Sequence, residues 1–281
     1  MLKVGNHFVF ERGGRMRILG VIPSRLQSSR LHEKPLADIA GRPMVWWVYQ
    51  QAGKAKNIDE VVVATDSERI ADVCKQYGMN FVMTSSDHNT PTSRIYEVST
   101  MMDFDYYAFI SGDEPLIDPA SINIVAGEAK KGGADAVNAM IGIGHAPDVI
   151  DFSNIKVVTN REGYLLYASR SPLPYPKGGL DFEYMKFVGI GAFSKHTLKV
   201  FNDTPRSRLE QIEECDLIRL IEKGVKVKMV RVSCESLSVD TMKDLEFVRS
   251  KIRPGGGIDR LVFITLPINR SNTYTSKRRC A

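Results

Sequence analysis

Three short apolar runs, RILGVIP, EVVVATD and YYAFISGDEP, each end in polar residues, and a stretch of helical periodicity follows downstream of each. Runs of this kind, rich in Val and Ile and closed by turn residues, have the form of strands buried on both faces. The intervening segments PMVWWVYQQA, SERIADVCKQYG and PASINIVAGEAKKGG carry apolar residues at helical spacing, with Pro at two of their starts and Gly at two of their ends. Parallel strands need long crossovers, and helices make the natural ones. The expected fold is therefore α/β: a doubly wound, Rossmann-like, mostly parallel sheet.

The rhythm changes after about Ala134. DAVNAMIGI, NIKVVTN, YLLYASR and KFVGIGAF read as strands separated by turns, which predicts a β-rich insertion over about residues 135–195. One helix is expected over residues 209–223, then a strand in VKVKMVRV and a closing helix in MKDLEFVRSKI. Residues 1–16 form an N-terminal extension, residues 17–252 the core domain, and residues 253–281 a basic tail that breaks at Pro254 and three glycines and is expected to be disordered.

The net charge of +5 argues for a nucleic-acid partner until it is located. Seven basic residues and one Asp fall in residues 251–281, so the rest of the chain is near neutral. A charged tail does not make a nucleic-acid-binding fold, and none is expected. Cys74, Cys215, Cys234 and Cys280 form no C-x-x-C pair, which argues against a zinc or redox site. No apolar run approaches the roughly 18 residues of a membrane span, and the first residues lack the apolar core of a signal peptide. The expectation is a reduced, cytoplasmic protein with no membrane partner.

In open α/β sheets, ligands bind at the carboxyl ends of the strands. The first such end carries Arg25, Arg30 and Lys34, with hydroxyls at Ser24, Ser28 and Ser29. Three cations among small hydroxyls suit a triphosphate. Neither G-x-x-x-x-G-K-[ST] nor G-x-G-x-x-G is present, so the loop is not of the Walker or dinucleotide type. Asp113, in SGDEP, and Asp240, in SVDT, also fall at strand ends. Two such carboxylates can hold Mg²⁺ beside substrate phosphates; they can equally cap a turn and a helix. Asp66, ending EVVVATD, can touch a ribose or cap the following helix, and the cap is the favoured reading.

The segment IPSRLQSSRLHEKPLADIAGRPM closely resembles the opening signature of the CMP-sugar synthetases, nearest to the branch that activates 3-deoxy-manno-octulosonate (Kdo) for lipopolysaccharide assembly. VVATDSERIADV, MTSSDHN with Thr92 and Arg94, GDEP, NIKVVTNREGYLLYASRSPLP, RLEQIE and VDTMKDLEFVR match in order, covering roughly residues 17–252. The resemblance implies a magnesium-dependent nucleotidyltransferase that couples CTP to a 3-deoxy-2-keto sugar acid and releases pyrophosphate. It implies catalytic roles for Arg25, Arg30, Lys34 and Asp113, with Asp113 and Asp240 on the metal. It puts Ser24, Ser28, Ser29, Thr84, Thr92 and Arg94 on the nucleotide and Arg170, Phe187, Glu210 and Gln211 on the sugar. It also makes the β-rich insertion a dimerisation element and the protein a homodimer.

The chain departs from the family pattern at several positions. Pro91 replaces a Gly and Ser93 an acid in the cytosine segment; Phe187 replaces a His, Ser111 a Gln and Leu217 a Gln around the sugar. Sites that read hydroxyls discriminate steeply when such groups are lost. The expected acceptor is a relative of Kdo rather than Kdo itself. Three other readings stand beside this one: a nucleotidyltransferase with another base or acidic substrate, a non-catalytic nucleotide-binding module, and a nucleic-acid binder acting through the tail.

Overall fold

The structure is a computed structural model that describes residues 15–27, 31–178, 182–233 and 237–252. Nearly all of the extension over 1–16 and the tail over 253–281 lie outside the described residues, as do Cys234 and Cys280.

The first strand, β1 (Ile18–Ser24), lies inside the sheet between β4 and β6 and shows why the sheet is covered twice. Ile18 and Ile22 face one way; Leu19 and Val21 face the other, as the period of two requires. A short hairpin of β2 (Asp38–Ile39) and β3 (Arg42–Pro43) leads into α1 (Met44–Ala52). Then come β4 (Glu60–Thr65), α2 (Glu68–Gln76), β5 (Phe81–Met83), α3 (Pro91–Met101), β6 (Tyr106–Ile110) and α4 (Pro119–Ala129). The Ile18 face packs on Val48 and Ala52 of α1 and on Ile122, Val125 and Ala129 of α4. The Leu19 face packs on Ile95 and Val98 of α3.

The second half completes the same sheet. It runs through β7 (Ala136–Gly142), α5 (Ala146–Ile150), β8 (Lys156–Thr159), β9 (Leu165–Ser169) and β10 (Met185–Ser194). It ends with α6 (Lys195–Asp203), α7 (Arg208–Glu213), α8 (Asp216–Glu222), β11 (Val227–Arg231) and α9 (Met242–Lys251). Among the described residues the strand order is β11-β7-β10-β6-β1-β4-β5. Only β10 runs against its neighbours in this path, so the sheet is mostly parallel, as the strand-helix alternation requires.

Two expectations are corrected here. Residues 135–195 are not one inserted unit: β7 and β10 are built into the main sheet, and only the β8–β9 hairpin hangs from it, through the start of β10. The alternation that reads as a β-rich insertion is that of strands whose partners lie far away in sequence, and they extend the main sheet as a mixed one. The single helix over 209–223 is two, broken at Glu214, whose φ of 48° is left-handed and ends α7.

Candidate active site

Two strand ends and the start of a helix meet at one edge of the sheet and form a cleft of about 310 Å³. β1 delivers Ser24 and Arg25, the turn after β6 delivers Ser111, Gly112 and Asp113, and the start of α3 delivers Pro91 and Arg94. Lys34 enters from a single 3₁₀ turn after the basic loop, and Asp240 from the residue before the cap of α9.

Close backbone packing fixes the carboxylates. A Cβ on Gly112 would lie 2.7 Å from the Pro23 carbonyl oxygen, so only glycine lets the β6 turn sit against the end of β1. The Val239 N–H donates to the Asp113 carbonyl at 2.9 Å, tying the two acidic segments together. Ser111 Oγ donates to Asp113 Oδ1 at 2.8 Å, and Asp113 Oδ2 turns to Lys34.

Lys34 Nζ lies 2.8 Å from Asp113 Oδ2 and 3.0 Å from Asp240 Oδ1. Burial works against its charge, but the charges and hydrogen bonds of the two carboxylates outweigh that and raise its pKa. The capping alternative for Asp240 is excluded: Thr241 is the N-cap of α9 and forms a capping box with Asp244. Asp113 lies in the turn after β6, as the alternative reading has it, and its side chain faces Ser111 and Lys34 in the cleft.

The loop holding Lys34 is anchored from outside the cleft. Glu33 has a left-handed φ of 51°, and its carboxylate is gripped by both terminal nitrogens of Arg69 on α2. The hydrogen bond from Arg69 holds the Glu33 pKa below the usual value, against an opposing effect of burial and with the help of the Arg69 charge.

At the other wall, Arg94 is almost fully buried and bonds Thr84 Oγ1 and Asp66 Oδ2. Asp66 is therefore an ion-pair partner and not the expected cap; Ser67 precedes α2 instead. His88 lines the cleft and contacts Glu97 Oε2 and Ser93 Oγ. Pro91 stands at the first turn of α3, where its missing N–H costs nothing, and Thr90 caps the helix. The substitution of Pro for Gly is thus absorbed as a helix start.

The sequence-derived residues divide clearly. Ser24, Arg25, Lys34, Arg94, Asp113 and Asp240 line one cleft. Thr84 lies behind it on Arg94, and Thr92 hydrogen-bonds the Asp216 side chain. Ser28, Ser29 and Arg30 lie outside the described residues.

The four sugar candidates are not among the residues that line the cleft. Arg170 donates to the carbonyls of Glu213 and Phe152. Phe187 packs half-buried in β10 against the core. Glu210 is fully buried, with both oxygens on Arg219 and one also on Arg206, and Gln211 is exposed. A carboxylate so committed is a structural ion pair.

Three contributors had no clear signal in the sequence. Ser111 stood out only as a lost Gln, yet it orients Asp113. Asn89 reaches the cleft from the same block as His88. Asp216, the first residue of α8, meets Thr92 and Thr90; burial raises its carboxyl pKa, the Thr92 bond lowers it, and the nearby Glu210 charge raises it again.

A mostly parallel α/β sheet whose strand-end cleft joins a basic loop, a buried arginine and two converging carboxylates defines a nucleotidyltransferase. The cytidylyltransferase family model matches residues 19–229, and the chain belongs to that family. It is 37% identical over 245 residues to the mitochondrial 3-deoxy-manno-octulosonate cytidylyltransferase of Arabidopsis thaliana, covering 85% of this chain and 84% of the relative. It is 36% identical over 230 residues to the enzyme of the same name from Escherichia coli, covering 82% and 94%. A solved structure of CMP:2-keto-3-deoxy-manno-octonic acid synthetase complexed with CTP superposes with a TM-score of 0.79 at 35% identity, over 83% of this chain and 97% of that one. A 4-diphosphocytidyl-2C-methyl-D-erythritol synthase from Anaerococcus prevotii, 14% identical with a TM-score of 0.58, shares the fold. No described helix is long and apolar enough to cross a membrane.

Proposed function

We propose that the protein transfers CMP from CTP to a 3-deoxy-2-keto sugar acid of the Kdo type, releasing pyrophosphate. One observation carries this reading: Asp113 and Asp240 present oxygens to a single positive charge in a cleft walled by Lys34, Arg25 and Arg94. The names of the relatives support cytosine as the base and Kdo as the acceptor.

The pair suits Mg²⁺ on its chemistry. Two hard oxygens already converge on one cation, and among the described residues no group of three or more His, Cys, Asp or Glu is placed to hold a metal. Magnesium takes one or two carboxylates and completes its shell with phosphate and water. Bound there, it would offset charge on the phosphate oxygens and lower the pKa of the attacking hydroxyl.

The chain's own groups supply the rest. The anomeric hydroxyl attacks the α-phosphorus of CTP, a new P–O bond forms, and the bond to the β-phosphate oxygen breaks in line. Lys34 and Arg25, with Arg30, balance the charge that develops on pyrophosphate. Ser111 holds Asp113 in its orientation, and Arg94 with Thr84 stiffens the wall beside the base. Positioning and electrostatics suffice, without a covalent enzyme intermediate.

The test is pyrophosphate release with CTP, Mg²⁺ and a panel of acidic sugars, in competition with UTP, ATP and GTP. Turnover of Kdo or a close analogue with a preference for CTP is expected. Equal use of all four nucleotides removes the cytidylyl assignment, and no release with any acid removes the catalytic one.

A homodimer is proposed on similar grounds. Leu166 of β9 and Leu209 and Ile212 of α7 are apolar and 59%, 42% and 63% exposed, and Leu166 and Leu209 border one shallow groove. Exposed apolar patches of this kind favour a partner. Light scattering after size exclusion is expected to give twice the chain mass. A cytoplasmic location is also a proposal, supported by the buried, free thiols of Cys74 and Cys215.

A further inference from the structure

We propose that Lys34 holds the place of the metal between Asp113 and Asp240 until CTP arrives, so that divalent-cation binding depends on the nucleotide. The inference rests on the metal assignment above and extends it to a residue expected to act only on pyrophosphate.

The geometry is that of a resident counter-ion. Lys34 Nζ donates to Asp113 Oδ2 and Asp240 Oδ1 at 2.8 and 3.0 Å, and its side chain is only 15% exposed. These are the oxygens a metal would use. An ammonium and a dication cannot share them at hydrogen-bond distance, because like charges a few ångströms apart repel strongly in a partly dehydrated cleft. A metal entering the cleft ahead of the nucleotide must therefore evict the ammonium, and eviction into a cleft still walled by Arg25 and Arg94 is unfavourable.

A triphosphate changes that balance. Its oxygens give the displaced ammonium a new partner and give the metal its remaining ligands. The backbone at Lys34 need not move: the turn is pinned through Glu33 and Arg69, and the rotatable bonds of a four-carbon stem let the ammonium turn from carboxylate to phosphate. Metal and nucleotide then bind with positive coupling, and linkage makes that coupling reciprocal. The same charge keeps Asp113 and Asp240 from repelling each other before either ligand is present. Lys34 is in this sense a positioning residue as well as a phosphate ligand.

The test is Mn²⁺ binding followed by electron paramagnetic resonance of the free ion, with and without CTP and with no sugar acid, the CTP titrations being read against protein-free Mn²⁺ and CTP so that chelation by the nucleotide alone is subtracted. Wild type is expected to bind Mn²⁺ weakly alone and much more tightly with CTP. Lys34→Met and Lys34→Gln are expected to bind Mn²⁺ without nucleotide about tenfold more tightly than wild type, the scale of one close ion pair exchanged for another. In both, the enhancement by CTP shrinks. Lys34→Arg keeps the charge and is expected to stay weak.

Arg25→Met is the control for a general change in cleft charge, since Arg25 lines the same cleft while Lys34 bridges the two carboxylates. It is expected to move nucleotide-free Mn²⁺ binding far less than Lys34→Met. The proposal is overturned if the two folded Lys34 variants bind Mn²⁺ no more tightly than wild type without CTP, or if Arg25→Met matches them. Asp113→Asn and Asp240→Asn, measured with CTP, separate the two levels. If they abolish Mn²⁺ binding while Lys34 variants change nothing, the metal site stands and only the role of Lys34 fails.

Discussion

Arg94 Nη2 lies 3.1 Å from Asp66 Oδ2 and joins the start of α3 to the end of β4 behind the cleft. The arginine is 4% exposed, and its other terminal nitrogen bonds Thr84. Removing one partner of such a buried pair strands the other, at a cost of about 3–5 kcal/mol. Arg94→Met is expected to lower the urea midpoint by that order and to weaken CTP binding. Asp66→Asn keeps a hydrogen-bond acceptor and is expected to cost roughly 1–2 kcal/mol. Denaturation curves with equal slopes for both variants check the difference.

Asp113→Asn and Asp240→Asn retain shape but lose the charge a metal requires. Each is expected to reduce the rate of pyrophosphate release by at least about 100-fold at saturating CTP and Mg²⁺, the scale of a lost transition-state charge partner. The measurement is kcat at several Mg²⁺ concentrations. Recovery of full rate at high Mg²⁺ would show that the carboxylates set affinity alone.

Glu210 distinguishes a sugar contact from a structural pair. It is fully buried against Arg219, whose guanidinium also stacks 3.8 Å from the centre of the Phe201 ring. Glu210→Ala is expected to destabilise the fold by about 3–5 kcal/mol. The KM for the sugar acid is expected to stay within about twofold, since uniform binding energy is not lost. A large rise in KM with unchanged stability would return Glu210 to the substrate site.

Glu97 gives a pH signature. Burial opposes its carboxylate, but the hydrogen bonds of His88 and the Ser85 N–H, with the charges of His88 and Arg94, hold its pKa below the usual 4.5. A lowered folded pKa adds stability that is present above 4.5 and is lost as pH falls through the folded value. Wild type is expected to exceed Glu97→Gln most at neutral pH and to converge with it in acid. Urea midpoints across that range test the convergence.

Gly112→Ala would bring a methyl group to 2.7 Å from the Pro23 carbonyl. The β6 turn must then move away from β1 and carry Asp113 with it. A loss of roughly 100-fold in kcat, with smaller loss of stability, is expected from a shift of about 1 Å at a reacting centre. A crystal structure of the variant would show the shift directly.

Much of this was legible in the chain itself. The alternation of Ile18 and Ile22 with Leu19 and Val21 required a sheet covered on both faces, because side chains on a strand point alternately to its two sides. The runs that end at Ser24 and in SGDEP required side chains at strand ends, where a doubly wound sheet binds ligands, and Ser24, Arg25 and Asp113 lie there; Asp240 lies instead beside the cap of α9, well past the end of β11. Local chemistry decides such features, so sequence suffices for them. What only the tertiary structure decided depends on partners distant in the chain. β7 and β10 joined the main sheet because their hydrogen-bonding edges met β11 and β6, which no local pattern encodes. Glu210 became an ion-pair residue because α8 brought Arg219 to it, and Asp66 a partner of Arg94 because α3 returned to β4. Lys34 came to lie between Asp113 and Asp240, 79 and 206 residues away, because the ends of β1 and β6 and the segment before α9 close on one point.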